Sequence, residues 1–68
     1  MTLVRINGER RELDERPTVD AAVRAAGSPD GRGVAVALDG EVVPRGRWDE
    51  TSLSEGQRVE VVQAVQGG

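Results

Sequence analysis

The start of the chain alternates between apolar and polar side chains on either side of a tight turn. Val4 and Ile6 share one face of a first strand, and Asn7-Gly8 follows that strand directly. Both residues of an Asn-Gly pair tolerate positive φ, so the pair is typical of a two-residue hairpin loop. The segment 9–13 then returns antiparallel to the first strand. The pattern therefore predicts a β-hairpin as the first element.

A short amphipathic helix is predicted next. Its apolar side chains recur at helical spacing, at Val19, Ala22, Val23 and Ala26. Thr18 is a suitable N-cap, and Asp20 places a carboxylate in the first turn, where the helix dipole favours it. Gly27 is a natural stop and Pro29 prevents the helix from resuming. A helix of about eight residues is marginal alone, so it must pack on a sheet.

The second half of the chain opens with another hairpin. The run 34–38 reads V-A-V-A-L, with bulky residues alternating with alanine. Asp39-Gly40 is a second two-residue turn signal. A short return strand over 41–43 is ended by Pro44, which cannot donate a main-chain hydrogen bond.

The last predicted strand, 58–65, has the longest β-branched run of the chain. Val59 and Val61 alternate there with Glu60 and Val62. Such a strand needs protection inside a sheet, most simply beside the first strand. Trp48 and Leu53 lie before it in a segment without a clean period and are expected to cover one end of the core. The element order ββαββ plus a final strand predicts an α+β fold, with one helix across one face of a mixed sheet of four to five strands.

The composition restricts the chemistry of the chain. Its 68 residues carry a net charge of −3 and contain no cysteine, which indicates one small domain and argues against nucleic-acid binding. Histidine, lysine and tyrosine are also absent, so the usual bases, nucleophiles and zinc ligands are missing. No metal site and no self-sufficient enzyme are expected. No stretch approaches the roughly 18 apolar residues of a membrane span, and without a visible signal peptide a cytoplasmic protein is predicted.

The sequence finishes in Gly67-Gly68, directly after the strand-like run. Two glycines have no role in a core, but residues without Cβ can enter a narrow slot and approach a second substrate closely. We therefore expect the carboxylate of Gly68 to be the reacting group, with Gly67 and Gln66 giving it access. A tail without any function is the competing interpretation.

Several segments together make the chain resemble the ubiquitin-like β-grasp proteins, and within them the ThiS family of sulfur carriers of thiamine biosynthesis. These segments are Ile6-Asn7-Gly8-Glu9, Pro17-Thr18-Val19, residues 34–45, Trp48, residues 55–62 and the ending Ala64-Val65-Gln66-Gly67-Gly68. The resemblance covers nearly the whole chain. It implies a β-grasp domain over 1–64 and a flexible reactive tail over 65–68.

The activity of the family would use Gly68 as a carrier group. The resemblance implies that an E1-like, ThiF-type enzyme adenylates the Gly68 carboxylate with its own ATP and Mg²⁺, so that no cofactor is bound by this chain. Sulfur from a cysteine desulfurase or a rhodanese-like protein would then form a thiocarboxylate on Gly68. A ThiG-type thiazole synthase would use that sulfur to build the thiazole ring.

The surface that docks with these partners is expected along the last strand. The candidate residues are Val62, Ala64, Val65, Arg45 and Arg58. The apolar ones would form a strip leading to the tail, and the arginines would pair with acidic residues of the partner. Three alternatives stay open: a carrier similar to the small subunit of molybdopterin synthase, a ubiquitin-like protein modifier, and a plain interaction module with an idle tail.

Overall fold

One helix lies on one face of a mixed five-stranded sheet. The computed structural model describes residues 1–27 and 33–63. Its elements in chain order are β1 (Thr2–Ile6), β2 (Glu9–Leu13), α1 (Val19–Ala25), β3 (Val34–Leu38), β4 (Glu41–Val43), a 3₁₀ helix (Arg45–Arg47) and β5 (Arg58–Gln63). Both hairpins and the helix predicted from the sequence are confirmed. Residues 64 and 65, the last two of the predicted final strand, lie outside the described residues.

The sheet has the strand order β2-β1-β5-β3-β4. Its central pair, β1 with β5, is parallel, whereas β1–β2, β3–β4 and β3–β5 are antiparallel. The strand with the longest β-branched run therefore has neighbours on both sides, as expected from its apolar composition. This order, with the helix across one face, is the predicted α+β fold.

The core lies between the helix and the sheet. Its buried side chains are Val4, Ile6, Val19, Ala22, Val23, Val36, Trp48, Leu53 and Val59. Leu13, Leu38 and Val61 pack against this core but are only partly buried. A seven-residue helix is about 10 Å long, whereas five strands span about 19 Å. The helix therefore leaves the borders of the sheet incompletely covered.

Trp48 closes one end of this core, as predicted. Its side chain is buried, and the indole Nε1–H donates a 2.9 Å hydrogen bond to the carbonyl of Val43. The main-chain N–H of Asp20 donates to the carbonyl of Trp48. The segment after β4 thus joins the edge of the sheet to the start of the helix.

Helix α1 begins and ends where its capping signals predict. Oγ1 of Thr18 accepts a 3.4 Å hydrogen bond from the main-chain N–H of Ala21. At the other end Gly27 has a φ of 95°, the left-handed conformation in which glycine is favoured. An unpredicted contact also supports this end: Arg11 of β2 donates a 2.8 Å hydrogen bond to the carbonyl of Ala25. Within 1–27 and 33–63 no helix is long and apolar enough to cross a membrane.

Candidate functional site

Strand β5 is the part of the described structure that leads towards the two terminal glycines. It is the central strand of the sheet and is described to Gln63. Five of the predicted site residues, Ala64, Val65, Gln66, Gly67 and Gly68, lie outside the described residues. The site can therefore be characterised by how β5 is held and by the surface beside it.

On one side β5 is held by main-chain pairing along its whole described length. The antiparallel register with β3 runs from Leu38↔Val59 to Val34↔Gln63. This pairing places Val62 opposite Ala35 on the face of the sheet that points away from the helix. The end of β5 and the small residues of β3 thus share one surface.

On its other side the parallel pairing of β5 is short. The register with β1 comprises Arg5↔Arg58 and Ile6↔Val59, because the chain turns away at Asn7. The main-chain N–H of Asn7 donates to the carbonyl of Val59 at 2.9 Å. Beyond that point the main chain of the first hairpin no longer follows β5.

The side chain of Asn7 continues this pairing. Its Oδ1 accepts a 2.8 Å hydrogen bond from the main-chain N–H of Val61, and its Nδ2 donates a 3.1 Å hydrogen bond to the carbonyl of the same residue. Sequence reasoning treated Asn7 only as a turn residue and missed this contact. The available signal was the side-chain amide itself, which has one donor group and one acceptor, as a peptide unit does.

Asp39, in the second hairpin turn, holds the opposite end of β5. Its Oδ1 accepts a 3.0 Å hydrogen bond from the main-chain N–H of Arg58, and its Oδ2 accepts a 3.0 Å bond from Nε2 of Gln57. The hydrogen bond from Arg58 and the bond from Gln57 lower the pKa of the Asp39 carboxyl below its ordinary value, and the charge of Arg58 acts in the same direction. Both hairpin turns therefore attach to β5 through their first residue.

The face of the sheet opposite the helix carries an apolar patch, which we call the open face. Val42 is 76% exposed and Val62 is 60% exposed. Ala35 and Ala37 lie between them, and the four residues line a shallow groove of about 200 Å³ together with Val36 and Glu60. Exposed apolar patches on a protein surface can serve as sites of protein–protein contact. The structure thus places the predicted apolar strip, as far as Val62, on a continuous surface.

The two predicted docking arginines lie in different places. Arg58 alternates with Val59 on β5 and so belongs to the open face with Val62. Arg45 lies at the start of the 3₁₀ helix, with its guanidinium 6.0 Å from the centre of the Trp48 ring. It borders a cavity shared with Asp20 near the start of α1. Arg58 and Val62 thus share the open face, whereas Arg45 lies in the 3₁₀ helix, near the start of α1.

Among residues 1–27 and 33–63 there is no group of three or more acidic side chains arranged to hold a metal ion. The nearest acidic neighbours of the open face, Asp39 and Glu60, border a cavity with Arg58. The groups that this surface offers to a partner are apolar side chains, the guanidinium of Arg58 and the carboxylate of Glu60.

Comparison with known proteins identifies the family of the chain. The ThiS family model matches residues 4–68. The chain belongs to the ThiS family. The crystal structure of a thiamine biosynthesis protein (ThiS) from Geobacter metallireducens superposes with a TM-score of 0.79 at 29% identity, covering 98% of this chain and 100% of that chain. An NMR structure of a thiamine biosynthesis protein from the same organism gives 0.75 at 29% identity, covering 98% and 88%.

A further relative is a much longer protein. A thiazole synthase of Paramagnetospirillum magneticum is 35% identical over 63 residues, which are 93% of this chain. The chain spans 19% of the length of that curated relative. These matches confirm the β-grasp fold and the predicted family.

Proposed function

We propose that this protein is a sulfur carrier in thiamine biosynthesis and that the carboxylate of Gly68 carries the sulfur. The observation that carries the proposal is the match to the ThiS family, which extends through Gly67 and Gly68. The similarity to a ThiS structure over 98% of the chain supports it. The absence of histidine, cysteine and lysine from the sequence also agrees with a protein that is acted upon by enzymes.

The chemistry begins with activation of the carboxylate. A free carboxylate is a poor electrophile, so one of its oxygens attacks the α-phosphorus of ATP and releases pyrophosphate, giving an acyl adenylate. A persulfide sulfur from the donor protein then attacks the acyl carbon and displaces AMP. The new bond joins the acyl carbon to the outer sulfur of the persulfide. A second thiol then attacks the inner, donor sulfur and breaks the S–S bond of the former persulfide, which leaves the thiocarboxylate on Gly68 and a disulfide on the donor side.

The adenylating partner supplies what this chain lacks. ATP, Mg²⁺ and any general base belong to an E1-like, ThiF-type enzyme in this proposal, and a cysteine desulfurase or rhodanese-like protein supplies the sulfur. From Ala64 to Gly68 an extended chain reaches at most about 17 Å. That reach is sufficient for Gly68 to enter a partner's site while the β-grasp domain stays outside.

The thiocarboxylate is then used by a ThiG-type thiazole synthase. Support for this partner comes from the thiazole synthase that contains a segment similar to 93% of this chain. A segment similar to this chain within a thiazole synthase polypeptide supports the use of the carrier's sulfur by such an enzyme. The proposed product of the pair is the thiazole ring of thiamine.

We further propose the open face as the docking surface for these partners. Val42 and Val62 are the large apolar side chains that it exposes, and covering them would remove apolar area from water. Arg58 lies on the same strand face and offers a cation at the border of the apolar patch. Val65 and Ala64 would extend the contact towards the tail.

Intact-mass spectrometry tests the proposal directly. The protein is incubated with ATP, Mg²⁺ and a ThiF-type enzyme, and then with a sulfur donor. We expect first the mass of an adenylate and then replacement of one oxygen by sulfur, both assigned to Gly68 by fragmentation. A variant that lacks Gly68 is the matched control and should acquire neither mass.

Other outcomes of the same experiment would contradict the proposal. Failure of every ThiF-type enzyme to adenylate Gly68 would exclude a thiamine carrier. Activation only by a molybdopterin-type adenylating enzyme would assign the chain to that pathway. Isopeptide bonds between Gly68 and lysines of other proteins would identify a protein modifier.

A further inference from the structure

We infer that Asn7 is a positioning residue that holds the end of β5 in the direction required to deliver the carboxylate of Gly68. This inference rests on the proposed function, because the direction of the chain end matters when the Gly68 carboxylate is delivered into a partner's site. It concerns the paired hydrogen bonds between the Asn7 side chain and Val61, two positions 54 residues apart in the sequence.

The Asn7 amide takes the place of a main-chain peptide unit. Strand β1 ends at Ile6, and Asn7 adopts a φ of 53° as the chain enters the turn. The main chain of the hairpin therefore leaves β5 after its hydrogen bond to Val59. Because the amide of Asn7 offers both a donor and an acceptor, it satisfies the N–H and the C=O of Val61 and lengthens the parallel pairing by one step.

Without this contact the end of β5 would be held on one side only. The β3 register would continue to Gln63, but on the β1 side the last main-chain contact would be at Val59. A strand paired along one edge can pivot about that edge more easily than one paired along both. Loss of the Asn7 side chain is therefore expected to loosen Val61 and the residues that follow it, without removing the strand from the sheet.

The direction of β5 at Val61 sets where the chain starts towards Gly68. The seven residues after Val61 reach at most about 25 Å when extended, so that starting direction determines which positions the Gly68 carboxylate can reach. Misplacement of a reacting group by about 1 Å can lower a rate by about 100-fold. The direction of β5 at Val61 therefore affects how often the Gly68 carboxylate meets an activating site.

Asp39 provides a matched control within the same sheet. It is also the first residue of a two-residue hairpin turn, has a φ of 48°, and contacts β5 through its side chain. Its contact, however, is with Arg58, the first residue of β5 and the far end of the strand from Gly68. Losing this contact should affect the stability of the sheet but not the direction in which the chain leaves it.

The experiment compares Asn7→Gly with Asp39→Gly. Glycine tolerates positive φ, so each variant keeps its turn and loses the side-chain contact to β5. Asp39→Gly also loses the hydrogen bond from Gln57, which precedes β5. Adenylation by a ThiF-type enzyme is measured at a temperature at which both variants are fully folded. We expect Asn7→Gly to lower kcat about 10-fold or more with little change in KM, because the open face still docks, whereas Asp39→Gly keeps the kcat of the unmodified protein.

Amide hydrogen exchange supplies a second readout that does not depend on the partner. Asn7→Gly should accelerate exchange at Val61 relative to Val59, whereas Asp39→Gly should accelerate it at Arg58. Equal kcat values for the two variants, or unchanged protection of Val61 in folded Asn7→Gly, would overturn the inference. If the unmodified protein is not adenylated at all, the proposed function fails, and the exchange of Val61 still decides whether Asn7 holds β5.

Discussion

Replacing Val62 by serine tests the open face as a docking surface. The side chain of Val62 is 60% exposed, and its main chain pairs with Ala35 through strand hydrogen bonds that a serine can also form. Exposed substitutions outside special backbone positions usually change the free energy of unfolding by about 0.5 kcal/mol or less. The variant should therefore fold like the unmodified protein and differ mainly in how it binds.

The size of the binding effect follows from the exposed fraction. Complete burial of a valine side chain stabilises by about 1.5–3 kcal/mol. Since 60% of Val62 is still exposed, covering it in a complex contributes about 0.9–1.8 kcal/mol by the same scale. At about 1.4 kcal/mol per factor of ten, Val62→Ser should raise the KM for the carrier by about 4- to 20-fold.

The assay is pyrophosphate release by a ThiF-type enzyme at saturating ATP and varied carrier concentration. The kcat should stay unchanged, because bound carrier still presents Gly68 in the same way. Val62→Leu keeps an apolar side chain and should retain a KM close to that of the unmodified protein. A KM for folded Val62→Ser within twofold of the unmodified value would refute the open face as the docking surface.

Three further predictions concern single residues. The hydrogen bonds from Arg58 and Gln57 lower the pKa of the Asp39 carboxyl in the folded protein below its ordinary value of 3.8. The ionised carboxylate therefore stabilises the fold above pH 3.8, and this stabilisation is lost as the pH falls through the pKa of the folded state. Urea unfolding between about pH 5 and about pH 2 should therefore show a weaker loss of stability in Asp39→Asn than in the unmodified protein, and identical pH profiles would contradict this. Trp48→Phe removes the indole N–H that bonds the Val43 carbonyl at 2.9 Å and should destabilise the fold by about 1–3 kcal/mol, seen as a lower midpoint in thermal unfolding followed by circular dichroism; an unchanged midpoint would show that this bond contributes nothing. Gly67→Ala should leave the unfolding midpoint unchanged but slow adenylation of Gly68, because a Cβ restricts φ and the approach of the chain; equal adenylation rates would remove Gly67 from the access role.

The local elements of this fold were predictable from the sequence because their causes lie within a few residues. Asn7-Gly8 and Asp39-Gly40 define the two hairpins by their tolerance of positive φ, which both turns adopt. Thr18 begins the helix because its hydroxyl oxygen accepts from a main-chain N–H three residues later. The family could also be predicted, since the motifs that carry it are short segments of sequence.

The contacts of β5 could be decided only by the tertiary structure. Alternation along a strand assigns side chains to two faces, but it does not specify which atoms of a distant segment come within hydrogen-bonding distance. Asn7 meets Val61 because the parallel pairing of β1 with β5 places a turn residue beside the end of the central strand. Alternation alone assigns Arg58 to the face of Val62, but only the fold shows that Arg45 lies beside Trp48 and near Asp20. The sequence thus determined which elements form and which family the chain belongs to. The strand order determined which side chains hold β5 and which line its open face, because those contacts join segments that only folding brings together.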